Sequence, residues 1–218
     1  MKRMFITLLL LVAYRIPVEA QLIRHWGVMG GVTSSTHVID RFDHLRDDTR
    51  RRTGVHAGVY AEWFNLRYFS AVTQLVYAQK GAGLRSLVND YEHPLGTGET
   101  VTSHARLDYL SLAVVAKAAW PFTTLSPYIE AGPRLDILLG HHGEDARSFS
   151  GWYDHFRHTV FGFSFGAGVQ TDKLLPLHVF IESRYNIDLA NSFAVHTNFS
   201  DYSINNSSFD VSVGFGMK

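Results

Sequence analysis

The stretch SPYIEAGPRLDILL, residues 126–139, carries the most information about the fold. Pro127, Ile129, Ala131, Pro133, Leu135, Ile137 and Leu139 fall on one side of an extended chain, and Tyr128, Glu130, Gly132, Arg134 and Asp136 fall on the other. Successive side chains of a strand point to opposite faces, so a period of two held this long specifies a strand and not a helix. The same period recurs at residues 54–64, where Val55, Ala57, Val59, Ala61 and Trp63 oppose His56, Gly58, Tyr60 and Glu62. It returns at residues 161–170, 179–189 and 209–216, and less cleanly at 25–34, 68–80 and 107–119. That makes eight predicted strands, most of them about ten residues or longer. Such strands exceed the usual soluble length of about five to six and suit a tilted crossing of a bilayer.

The connections sort into two kinds. Residues 35–53, 81–105, 140–158 and 190–206 form long polar connections, while 65–67, 120–125 and 172–177 are short. Long and short alternate along the whole chain. With antiparallel strands, every long connection then leaves from one end and every short turn from the other, the asymmetry of an outer-membrane barrel with short periplasmic turns.

Composition narrows the function classes. The 218 residues carry 20 basic and 20 acidic side chains, for a formal net charge of zero, so the electrostatic footprint of a nucleic-acid partner is missing. Cysteine is absent, which excludes a disulfide framework, a thiolate metal site and a cysteine nucleophile. At the N-terminus, Lys2 and Arg3 precede an apolar run at residues 5–14, then Pro17 and the small residues Val18 and Ala20. This pattern predicts a signal peptide over residues 1–20, cleaved between Ala20 and Gln21. Residues 21–218 are then a single exported domain.

Side-chain size sets the orientation. An eight-stranded barrel is only just wide enough inside for its own side chains. Here the apolar faces carry bulk (Phe161, Phe163, Phe165, Phe209, Phe215), and the polar faces are rich in glycine (Gly58, Gly132, Gly162, Gly166, Gly168, Gly214, Gly216). The apolar faces therefore belong against lipid and the polar faces in the lumen, the reverse of a soluble carrier. Glu62, Lys117, Glu130, Arg134, Asp136, Glu182, Arg184, Asp188 and Asp210 then share one narrow interior. Their mixed signs predict a structural plug of ion pairs. Trp26, Trp63, Tyr68, Phe69, Tyr77, Tyr109, Trp120, Phe122 and Tyr185 lie near predicted strand ends, where aromatic girdles belong.

Several stretches resemble the PorT-like outer-membrane β-barrel family of Bacteroidetes: YAQKG at residues 77–81, LDYLSL at 107–112 with Lys117, SPYIEAGP at 126–133, and Gly214-Phe215-Gly216 near the end. The resemblance runs in matching order over nearly all of the mature chain. It implies the barrel fold and no catalytic residues. Ser111 and Ala113 depart from the Glu and Pro frequent in that family, and the chain ends Met217-Lys218 without a terminal aromatic.

Other motifs carry less. His141, His142, His155 and His158 share one predicted outer loop with Glu144, Asp145 and Asp154, a spacing that suits metal ligands only on a helix or tight turn. Ser164 and Ser212 face the predicted lumen and His56 is of the right type for a base, but no motif sets a nucleophile beside it. Arg50, Arg51 and Arg52 read as a solvated loop. The expectation is an all-β, eight-stranded antiparallel up-and-down transmembrane β-barrel, located in the bacterial outer membrane and monomeric. Its partners are outer-membrane lipid and other envelope proteins met through the outer loops, with no nucleic acid. No catalytic residue, cofactor or metal site is expected. The alternatives are an accessory of a secretion or surface-assembly machine, a lipid-modifying barrel enzyme, and a soluble exported barrel with a small ligand.

Overall fold

The computed structural model describes residues 22–41, 49–64, 66–87, 100–122, 124–143, 157–173, 177–189, 193–197 and 200–217. The expected leader, with Ala20 and Gln21, lies outside the described residues, as does His155. Among the described residues, nine strands form one antiparallel sheet: β1 (Ile23–Arg41), β2 (Thr49–Trp63), β3 (Phe69–Leu87), β4 (Thr100–Ala119), β5 (Ser126–Gly143), β6 (Thr159–Thr171), β7 (His178–Asp188), β8 (Phe193–Thr197) and β9 (Ser200–Met217). Eight of them close a barrel in the order β1 to β7 and then β9, with β1 pairing β9 at the seam. The short β8 pairs only with the outer part of β9.

The register fixes the stagger. The pairs Ala119–Tyr128, Tyr128–Gly168, Gly168–Glu182, Glu182–Ser212, Ser212–Gly31, Gly31–His56, His56–Ala78 and Ala78–Tyr109 circle the barrel once and return to β4 ten residues from the start. Strands staggered in this way tilt from the barrel axis, by about 35–45° in closed barrels.

The inverted orientation is present throughout. Val28, Val59, Leu75, Val114, Ile129, Phe161, Phe165, Ile181, Val213 and Phe215 are exposed on the outer surface, while Glu62, Lys117, Glu130, Arg134, Asp136, Glu182 and Arg184 are buried inside. The arrangement is stable only if the outer surface meets hydrocarbon, because water would leave this apolar belt unburied. Trp26, Tyr68, Phe69, Trp120 and Phe122 are exposed around the short-turn end and form the girdle there.

Three expectations need correction. The outer ends of the strands run further than the alternation indicated: β3 and β4 stay paired out to Leu87–Thr100, and β1 and β9 out to Arg41–Tyr202. Past the hydrocarbon the outer face no longer needs apolar side chains, so the chain can continue as a ladder without a period-two pattern. Arg50, Arg51 and Arg52 accordingly belong to β2 and not to a loop, with Arg50 and Arg51 exposed. Tyr109 is no girdle residue. It is buried in the lumen, in phase with Ser111, Ala113, Val115 and Lys117, the inward residues of β4.

Candidate functional site

The lumen holds three linked groups of polar side chains. Near the short turns, Glu62 accepts hydrogen bonds from Ser70 Oγ at 2.7 Å, Lys117 Nζ at 3.0 Å and the His25 ring at Nδ1, 3.3 Å away. Lys117 Nζ also sits 4.3 Å from the centre of the Tyr128 ring, and the Tyr128 hydroxyl donates to Glu182 Oε2 at 2.9 Å. Halfway up, Arg184 is the hub. It donates to Gln74, Glu130 and Glu182, the last at 2.8 Å. Asn186 Nδ2 donates to Ser208 Oγ at 3.0 Å and to Asp210 Oδ2 at 2.6 Å, and Ser164 Oγ donates back to Asn186 at 2.7 Å. Toward the outer end, Asp136 accepts from Lys80 at 2.5 Å and Ser111 at 2.6 Å, and Arg134 bridges Asp136 and Asp188 at 3.3 and 2.5 Å.

Each group follows from the alternation. Glu130, Arg134 and Asp136 sit two or four apart on β5, as do Glu182, Arg184 and Asn186 on β7, so each strand projects its polar set into one interior. Burying a charge is costly unless it is paired and hydrogen-bonded, and these charges are. Seven of the nine residues assigned to the lumen are buried; Asp210, halfway up, and Asp188, near the outer end, are partly exposed as residues, although the Asp188 side chain is buried against Arg134.

Sequence reasoning missed Lys80, Gln74, Tyr128, His25 and His178 as members of this interior. Lys80 lies at the end of a strand that alternates poorly, and its partner Asp136 is two strands away. The alternation had placed Tyr128 on the polar face of β5, a signal that could have found it.

Two further arrangements contain reactive groups. His56 lies with Nε2 2.8 Å from Ser212 Oγ and Nδ1 2.9 Å from Thr33 Oγ1. The structure thus brings together the serine and histidine that the sequence could not join, although the group on Nδ1 is a hydroxyl and not a carboxylate. Beside this pair remains a cavity of about 30 Å³ bordered by Gln74, Lys80, Arg134 and Asp210. It has room for about one or two waters. At the short-turn end, the His25 and His178 rings stack at 4.0 Å and 11°, and His178 Nδ1 lies 2.5 Å from Asp172 Oδ1. Asp172 follows β6 in the turn. Burial raises its pKa, but the hydrogen bond from His178 and the nearby charges of His25, His178 and Arg24 outweigh that and hold it below the ordinary Asp value. The loop histidine His141 belongs to β5, and His158 precedes β6; neither joins a metal-binding group among the described residues.

A closed antiparallel barrel, apolar outside and charged within, defines the class: a transmembrane barrel of the outer-membrane type. The chain belongs to the outer membrane protein beta-barrel domain family, whose sequence model matches residues 19–194. Among solved structures it is similar to the outer membrane protein OprG from Pseudomonas aeruginosa, with a TM-score of 0.53 and 7% identity over 92% of this chain and 99% of that one. It is also similar to Neisserial surface protein A, at 0.43 and 12% over 87% and 95%, and to Ail of Yersinia pestis, solved with the heparin analogue sucrose octasulfate, at 0.40 and 10% over 88% and 98%. No curated protein sequence matches the chain. The family and the OprG likeness place it in the bacterial outer membrane with an eight-stranded barrel fold.

Proposed function

We propose that this protein is a closed outer-membrane barrel whose role is structural or interactive, exerted through the strand extensions at its outer end and the segments that join them. The observation that carries this reading is the filled lumen. The Arg184 hub with Gln74, Glu130 and Glu182 crosses the middle of the barrel from β3 to β7, and the space beside it holds about one or two waters. An ion path would have to break buried charge pairs. A lipid acyl chain has no room at the His56–Ser212 pair, which supports reading the protein as something other than an enzyme. What remains for contact is the outer end, where the paired strands continue well past the apolar belt.

The test is two-part. Purified barrel in planar bilayers is expected to show no steady conductance at moderate voltage; a stable open channel would overturn the closed-barrel reading. Exchange of residues 88–99 and 144–156 for short Gly/Ser linkers is expected to abolish capture of envelope partners by crosslinking while the barrel still folds. Unchanged crosslinks would overturn the interaction reading.

The PorT-like motifs at residues 77–81 and 126–133 support a second reading, an accessory of a secretion or surface-assembly machine. Deletion of the gene is then expected to deplete specific proteins from the cell surface, and an unchanged surface proteome would exclude it.

A further inference from the structure

We propose that His25, Asp172 and His178 form a binding site for a divalent cation of the zinc class at the periplasmic end of the barrel, across the seam that closes it. This goes beyond the interaction role and does not depend on it. One ligand atom from each of the three residues lies within 4.8 Å of the other two. Tetrahedral ligands around zinc, at the usual distance of about 2.0–2.1 Å, stand roughly 3.4 Å apart. Coordination therefore needs the widest pair to close by at most about 1.4 Å and the hydrogen-bonded His178–Asp172 pair to spread by about 0.9 Å, shifts of side-chain size. Two of them are already close, since His178 Nδ1 is 2.5 Å from Asp172 Oδ1 and His25 Nε2 is 3.6 Å from Asp172 Oδ2.

The surroundings suit a cation. The two rings stack at 4.0 Å, and each has a nitrogen facing the Asp172 carboxylate. The other nitrogen of His25, Nδ1, faces Glu62 Oε2 at 3.3 Å. A ligating histidine commonly donates its second N–H to a carboxylate in this way, which fixes the tautomer and aims Nε2 at the metal. Lys117 and Arg24 lie 3.0 and 3.6 Å from Glu62, and Asp172 is the carboxylate placed beside both rings. His178 is fully buried, and its Nε2 has no hydrogen-bond partner; for this ring, bonding is concentrated on the side facing Asp172. Asp172 is 30% exposed, which gives an ion a way in from the periplasm and leaves a coordination position for water.

The placement also has a mechanical consequence. His25 is in β1, His178 opens β7, and β9 lies between those strands, with Gly216 paired to both Gly27 and His178. An ion held by both histidines ties β1 to the β6–β7 turn over the end of β9, where the barrel closes.

The experiment uses the full mature chain, untagged, refolded in detergent and stripped with a chelator. Titration with Zn²⁺ by calorimetry is expected to give one ion per barrel, and Co²⁺ is expected to give the absorption bands of a low-coordinate site. His25→Gln and His178→Gln are each expected to weaken Zn²⁺ binding ~10-fold or more, at least the loss that follows removal of an outer-shell partner. His141→Gln is expected to bind like the parent. If the histidine variants fail the heat-dependent gel shift of a folded barrel, Asp172→Asn in the turn decides, with the same weakening expected. No binding by the parent, or undiminished binding in folded variants at these positions, would overturn the proposal.

Discussion

Lys80 Nζ lies 2.5 Å from Asp136 Oδ2, and both side chains are almost fully buried, on strands separated by β4. The pair spans the lumen and does not follow one ladder. Its removal therefore tests whether the interior is held by charge. Breaking one partner of a buried pair typically costs about 3–5 kcal/mol, because the other charge is left uncompensated. Asp136 keeps Ser111 and Arg134, so Lys80→Met is expected at the lower end, about 3 kcal/mol. The double variant Lys80→Met/Asp136→Leu is expected to regain at least half of that. Urea unfolding in lipid vesicles, followed by tryptophan fluorescence, gives the four corners of the cycle. Additive losses would mean that the pair is not coupled.

The outer face makes a separate prediction. Phe165 sits midway along β6, exposed, paired with Ala131 and Tyr185. Phe165→Arg places a guanidinium at the bilayer centre and is expected to cost about 2–4 kcal/mol. Leu139, the last residue of the apolar face of β5 and so nearest the outer interface, is also exposed, and Leu139→Arg is expected to cost at most about 1 kcal/mol. Folding yields into vesicles across a urea series would show the depth dependence. Equal costs at both positions would mean that the outer surface does not meet hydrocarbon.

What was legible in the sequence is the part that the bilayer dictates. Between the two interfaces each strand must alternate, and that pattern assigned Glu62, Lys117, Glu130, Arg134, Asp136, Glu182 and Arg184 to the interior where they lie. Above the outer interface the requirement lapses, so the ends of β3 and β4 left no periodic signature. Tyr109 was misplaced although it shares the phase of Lys117 on β4, because an aromatic near a predicted strand end looks like a girdle residue until the alternation is followed back from Lys117. His25 and His178 meet through barrel closure, between strands near opposite ends of the chain, and only coordinates can show that they stack. Ser212 and His56 were candidates by type, but their 2.8 Å contact depends on the β1–β2 and β1–β9 registers together.

Glycine at the seam is a further test of packing. A Cβ on Gly31 would stand 1.9 Å from the carbonyl oxygen of Val211 and 2.9 Å from Ser212 Cα, both backbone atoms of the neighbouring strand. Neither can swing aside as a side chain does. Gly31→Ala is expected to destabilise the barrel by about 1–3 kcal/mol, the usual cost of forcing atoms into a packed site. A Cβ on Gly140 would meet nothing within 4 Å, so Gly140→Ala is expected to be neutral. Thermal midpoints from the gel mobility shift would separate the two. A Gly31→Ala barrel as stable as its parent would show that β1 and β9 do not approach so closely.

The His56–Ser212 contact yields the last prediction. A serine nucleophile needs a base whose charge is stabilised as the proton arrives, commonly by a carboxylate on the far ring nitrogen. Here that nitrogen faces the Thr33 hydroxyl at 2.9 Å, and no carboxylate takes that position. His56→Gln and Ser212→Ala are therefore expected to leave the lipid A and phospholipid profiles of cells unchanged. Ser212→Ala is instead expected to cost about 1 kcal/mol of stability, the worth of one buried hydrogen bond. Mass spectrometry of extracted lipids checks the first outcome and urea unfolding the second. A lipid species lost in both variants but kept in Thr33→Val would identify the pair as a working dyad, because only chemistry at Ser212 would respond to the first two changes and spare the third.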